Sequence, residues 1–141
     1  MANQATAWII STALLVWGIA YLWLVGFAFV FATPEHWARL VDEGKIRPEY
    51  VEYIVAIPKW VVVASAATAV TRFGGGVALF LSPGWAFYLY TLSFLLTLVI
   101  MFRAFFFAGV ASVIPSSQIA VEALFLFLSA FAVFFAFFLS R

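Results

Sequence analysis

Three charged residues, Arg72, Arg103 and Glu122, interrupt runs that are otherwise apolar for the length of a membrane-spanning helix. A charge near the centre of a bilayer costs about 2.5–3.5 kcal/mol on insertion scales, and more by other measures. Such groups face a protein interior, a water-filled cavity or a partner, where they bind ions, relay protons or join subunits. Other chemistries are poorly provided for. One histidine, His36, and no cysteine cannot build a zinc site or a bis-histidine haem within one chain. No serine, lysine or carboxylate stands in a recognisable nucleophile or acid–base arrangement. Glu122 could carry a proton, but a relay needs several titratable groups and the apolar runs offer one. The expectation is a non-enzymatic protein without cofactor or metal.

The elements that must position these charges follow from composition. Of 141 residues, 67% are hydrophobic and 9% charged, with a mean hydropathy of +1.16. A soluble domain carries about 25% charged residues, so this chain could not cover a water-facing surface. A net charge of +1 provides no basic face for nucleic acid. The partner implied is the lipid bilayer. Residues 1–34 carry no charge, and the first apolar run is too long for a cleavable signal.

Four runs reach the roughly 20 residues of a spanning helix: Ala7–Phe31, Trp60–Leu81, Trp85–Phe107 and Ile119–Leu139. They are continuous rather than alternating, which argues against a barrel. The fold class expected is an all-α membrane protein, a single four-transmembrane-helix bundle over residues 1–141. A short amphipathic helical segment, 33–59, lies between helices 1 and 2. Within it, Thr33-Pro34-Glu35 has the form of a helix start, Gly44 of a stop, and Arg47-Pro48-Glu49 of a second start. A solvated loop is the competing reading. Trp8, Trp37, Trp60 and Trp85 fall at helix ends, as interfacial anchors do. Ser82-Pro83-Gly84 leaves room only for a tight hairpin between helices 2 and 3.

Helix 2 is rich in small residues, Ala64 to Ala69 and then Gly74, Gly75 and Gly76. These permit close helix packing, and they also leave space for a cavity. Helix 4 is rich in phenylalanine, which suits packing or lipid contact.

Depth follows from a rise of roughly 1.5 Å per residue. Arg103 lies roughly 6 Å from the side bearing the amphipathic segment, and Glu122 roughly 5 Å from the same side. They match as an intramembrane ion pair, or each snorkels independently to the headgroups. Arg72 lies roughly 18 Å deep, near the midplane, beyond direct reach of Glu122. An arginine is effectively always charged, so its donors require acceptors: hydroxyls such as Thr68 or Ser93, freed carbonyls near the glycines, water, an anion or a partner chain. A ligand-binding role and a structural network are both compatible with this position. His36 reads as a solvated surface group.

Thr33-Pro34-Glu35 after the first helix, Pro58 and Trp60 opening the second, Gly74–Gly76, Trp85-Ala86, and Met101-Phe102 with Phe105-Phe106 form a pattern. In this pattern the chain resembles small four-helix bacterial inner-membrane proteins of uncharacterised function, some automatically labelled sugar transporters. The resemblance implies an inner-membrane location. It departs at Ser82-Pro83-Gly84, where such proteins carry basic residues, and at Arg72, where their second helix is uncharged. Arg39, Lys45, Arg47 and Lys59 would place the amphipathic segment in the cytoplasm, whereas the resemblance implies the opposite orientation. Two functions are expected from the residues: binding or passing a small polar or anionic molecule at Arg72, or serving as an accessory subunit of a larger membrane complex. Four helices are few for a complete transporter, so a homo-oligomer or other membrane subunits would accompany either.

Overall fold

A computed structural model describes residues 2–31, 33–107 and 116–141. Among these the architecture is all helical. The elements are α1 (Ala2–Gly26), α2 (Pro34–Asp42), α3 (Pro48–Val55), α4 (Lys59–Leu81), α5 (Pro83–Phe102) and α6 (Ser116–Leu139). A π-helical turn, Phe27–Phe31, extends α1, and a second, Arg103–Phe107, extends α5. Four segments are long and apolar enough to cross a membrane: Gln4–Val30, Lys59–Leu81, Pro83–Phe106 and Ser116–Leu139. This is the architecture of an integral membrane protein. The segment from Ala108 to Pro115, expected as the last connection, lies outside the described residues.

Helix α4 is the hub, packing against α1 on one side and α5 on the other, with α6 against α5. Its small residues explain why. A Cβ added at Gly76 would stand 3.0 Å from the Leu15 Cα, and one at Gly18 would stand 3.2 Å from the Arg72 carbonyl oxygen and the Phe73 Cα. The backbones of α1 and α4 therefore touch at two levels, as small residues allow where no water drives association. Gly75 serves α5 instead, since its missing Cβ would lie 3.1 Å from the Tyr90 ring. Gly74, expected to pack in the same way, has ordinary space, with Leu89 at 3.5 Å. A single residue, Ser82, joins α4 to α5; its N–H bonds the Ala78 carbonyl at 2.7 Å and its carbonyl accepts from Trp85.

The amphipathic segment forms two helices. Thr33 caps α2 by accepting from the His36 N–H at 3.3 Å, while His36 Nδ1 accepts from the Thr33 N–H at 3.1 Å. This is a capping box with histidine in the place usually held by Glu or Gln. Gly44 adopts φ +73° and ends α2; its N–H bonds the Val41 carbonyl and that of Lys45 bonds the Leu40 carbonyl, a Schellman stop. Phe27 packs on both His36 and Trp37, docking α2 on the end of α1.

The molecule thus has two ends. The loop side carries α2, α3 and both π-helical turns. The far side carries the start of α1, the Ser82 joint and the end of α6. Leu14, Ala78, Leu79, Ala86, Tyr90, Ala132 and Ala136 form the buried apolar core, which fills the far-side half. Of the tryptophans, Trp8, Trp60 and Trp85 are exposed near helix ends, and Trp17 is not among them.

Candidate functional site

Arg72 is only 1% exposed. It lies thirteen residues into α4, counting from Lys59, and its side chain turns inward and meets each of the other three long helices. The guanidinium carbon lies 4.2 Å from the Trp17 ring centroid and 4.1 Å from that of Tyr21, both on α1. Desolvated cation–π contacts of this kind are worth about 2 kcal/mol. Arg72 Nη2 donates to Thr97 Oγ1 on α5 at 2.9 Å and to Ser129 Oγ on α6 at 3.0 Å.

The two hydroxyls are oriented by their own helices. Thr97 donates to the Ser93 carbonyl and Ser129 to the Phe125 carbonyl, each at 2.8 Å. With its proton held one turn back, each oxygen presents a lone pair to the arginine. The expected partners Thr68 and Ser93 are buried in the same helices but do not bond Arg72: the Thr68 hydroxyl donates to the Ala64 carbonyl, and the Ser93 hydroxyl has no partner. Level along α5 separates the two: Ser93 and Thr97 share one face, and Thr97, one turn nearer the loop side, stands at the height of the guanidinium.

Two hydroxyls and two ring faces do not exhaust the guanidinium. Its Nε and Nη1 are buried without a hydrogen-bond partner. Beside it lies a cavity of about 50 Å³, walled by Tyr21, Arg72, Thr97, Met101, Glu122 and Phe125. A water occupies about 30 Å³ of liquid, so the space suits one or two water-sized species. It falls far below the roughly 300 Å³ at which small-molecule pockets begin, and a sugar does not fit.

Glu122 is the one carboxylate within the four long helices among the described residues. It forms no ion pair with Arg103; an ion pair joins Lys45 to Glu43 at 3.0 Å, in the segment between α2 and α3. The expected Arg103–Glu122 ion pair is therefore absent: Glu122 lines the cavity beside Arg72, while Arg103, at the start of the π turn that extends α5, lies beside Tyr53. Arg103 instead engages the Tyr53 hydroxyl, and Gln118 engages that of Tyr50. Burial raises both phenols above their ordinary value; Arg103 and Gln118 oppose that shift, and nearby Glu122 adds to it. The two tyrosines stack, with ring centroids 6.1 Å apart, on the loop side near Glu122.

Two larger grooves lie on the exterior. One, about 600 Å³ between α2 and α3, is lined by Trp37, Val41, Val51 and Val55. The other, about 420 Å³, runs between α5 and α6 past Met101, Phe105, Ile119 and Leu126, with Glu122 at its wall. Both are apolar and open, as lipid-facing surfaces are. Among the described residues no group of three metal-ligating side chains converges.

Trp17, Tyr21, Thr97 and Ser129 were not predicted as partners of Arg72. Tyr21 and Trp17 do carry a signal, being one turn apart on the helix that precedes the charge. No family model matches the chain, nor does any curated protein or solved structure.

Proposed function

We propose that this chain is a non-enzymatic multi-pass protein of the bacterial inner membrane, a four-transmembrane-helix bundle that binds a small anion at Arg72. The observation that carries this reading is a permanently charged guanidinium, 1% exposed, with Nε and Nη1 unpaired beside a polar cavity of about 50 Å³. Charge-assisted hydrogen bonds in a dry site are the strong ones, and an anion in this space would receive them. The far-side half is packed with alanine and leucine and leaves no space beyond the guanidinium for such an ion. Binding, rather than free conduction, is what this arrangement supports. Inorganic anions of halide size suit the volume.

The accessory-subunit reading loses its main support. It required Arg72 to meet a polar group of another chain, and the side chain is enclosed by its own helices.

Chloride and nitrate titrated calorimetrically into the protein in nanodiscs test the proposal. Wild type should bind, and Arg72→Met should not. Methionine keeps much of the volume but gives up the two cation–π contacts and the two hydrogen bonds of Arg72, so the variant should unfold at a lower temperature, and binding is compared below its unfolding transition. Equal binding by wild type and Arg72→Met would end the anion reading.

A further inference from the structure

We propose that the Arg72 site takes its anion together with one proton, carried on Glu122. This rests on the anion reading above and specifies what is bound: a small monovalent anion and a proton as a pair.

The geometry leads there directly. Arg72 and Glu122 line the same cavity of about 50 Å³, yet no ion pair joins them within the described residues. An ion seated against the guanidinium has no second compartment to occupy, so it lies against the Glu122 carboxyl. Two like charges sharing one site cannot both be held, and the one that can take a proton does so. An anion cannot shed its charge to Arg72, which stays cationic. Protonating Glu122 removes the repulsion and leaves the cavity electrically neutral: one guanidinium, one anion and one neutral acid. The acid's O–H then becomes a donor, adding to the free donors of Arg72.

The groups facing Glu122 leave it as the site of that proton. From α1 there is Tyr21, from α4 Arg72, from α3 Tyr50 and Tyr53, and on α6 itself Gln118. Arg103, at the end of α5, is engaged by Tyr53. Gln118 does not titrate, the arginines remain charged, and burial holds Tyr50 and Tyr53 in the neutral form. A carboxyl is the remaining group whose charge changes within the neutral-to-acid range. Binding and protonation are then linked and reciprocal: anion affinity strengthens about tenfold for each pH unit lost while Glu122 is ionised in the free protein.

Calorimetry on the full chain in nanodiscs reads the proton directly. Chloride is titrated at one pH in buffers of different ionisation enthalpy, then across about pH 5 to 8. The expected result is one proton taken up per chloride, with tenfold steps in affinity, and a pH-independent affinity without proton uptake in Glu122→Gln. Chloride binding in wild type without proton uptake overturns the coupling and leaves the Arg72 anion site standing. Absence of binding for both chloride and nitrate at every pH overturns both, and marks Arg72 and Glu122 as a structural pair bridged by solvent. The wild-type proton count decides the matter even where Glu122→Gln fails to fold.

Discussion

The loop-side and far-side halves of the four long helices are built from the same apolar alphabet and behave oppositely. In the far-side half, Ala78, Ala86, Ala132 and Ala136 bring the helices together and Leu14 and Leu79 fill what remains. Trp8 on Phe80 and Phe87 on Phe137 close the outside. In the loop-side half the facing residues are large and polar, namely Tyr21, Arg72, Thr97 and Glu122, and they leave space between them. In this molecule the space lies where a buried charge and its polar neighbours meet, and the alanine-lined crossings are filled. Small residues close a crossing, whereas long side chains that must satisfy their own donors hold helices apart.

Three measurements would break or sharpen that contrast. The largest effect is expected at the far-side plug. Leu79→Ala should cost about 2–5 kcal/mol, the range for a large-to-small change in a packed core, read by reversible unfolding in detergent. A loss below about 0.5 kcal/mol would show the far side to be loosely packed, and the contrast would collapse. Next comes the α1–α4 crossing, where Gly76→Val should cost about 1–3 kcal/mol because its Cβ meets backbone that cannot rotate away. Gly74→Ala, with ordinary space around it, should change stability by no more than about 0.5 kcal/mol. Equal effects at the two glycines would mean that helix α4 is rotated from its described position. The smallest effect belongs to the loop side: Thr33→Ala should cost α2 about 1 kcal/mol through loss of its cap. It would appear as faster hydrogen exchange confined to the first turn of α2, and exchange spreading into α1 would mean that the cap supports the long helices as well.

Much of this was legible from residue types alone. Thr33, Pro34 and Gly44 announce α2 because caps and stops are local chemistry, satisfied within a few residues. Arg72 stands out in the sequence as a charge deep within an apolar run, and no ion pair joins it to an acid among the described residues. Its partners were not legible. Ser93 and Thr97 share one face of α5, and residue types do not say at what height α5 is set against α4, so the two could not be told apart as acceptors. The Arg103–Glu122 match failed for a related reason. It rested on matching depth alone, whereas the direction each side chain takes from its helix put Glu122 against the Arg72 cavity and Arg103 beside Tyr53.

The guanidinium that ties four helices together also constrains how the chain is made. Arg72 leaves the ribosome well before two of its partners, since Thr97 follows 25 residues later and Ser129 follows 57 later. Only the α1 rings of Trp17 and Tyr21 are already in place to receive it. Helix α4 alone is a poor candidate for stable insertion, with a charge near its centre. Its joint to α5 through a single residue lets the two enter as one hairpin. The order of synthesis and the order of bonding are thereby linked: α1 waits in the bilayer as a docking wall, the hairpin delivers the charge to it, and α6 completes the coordination last.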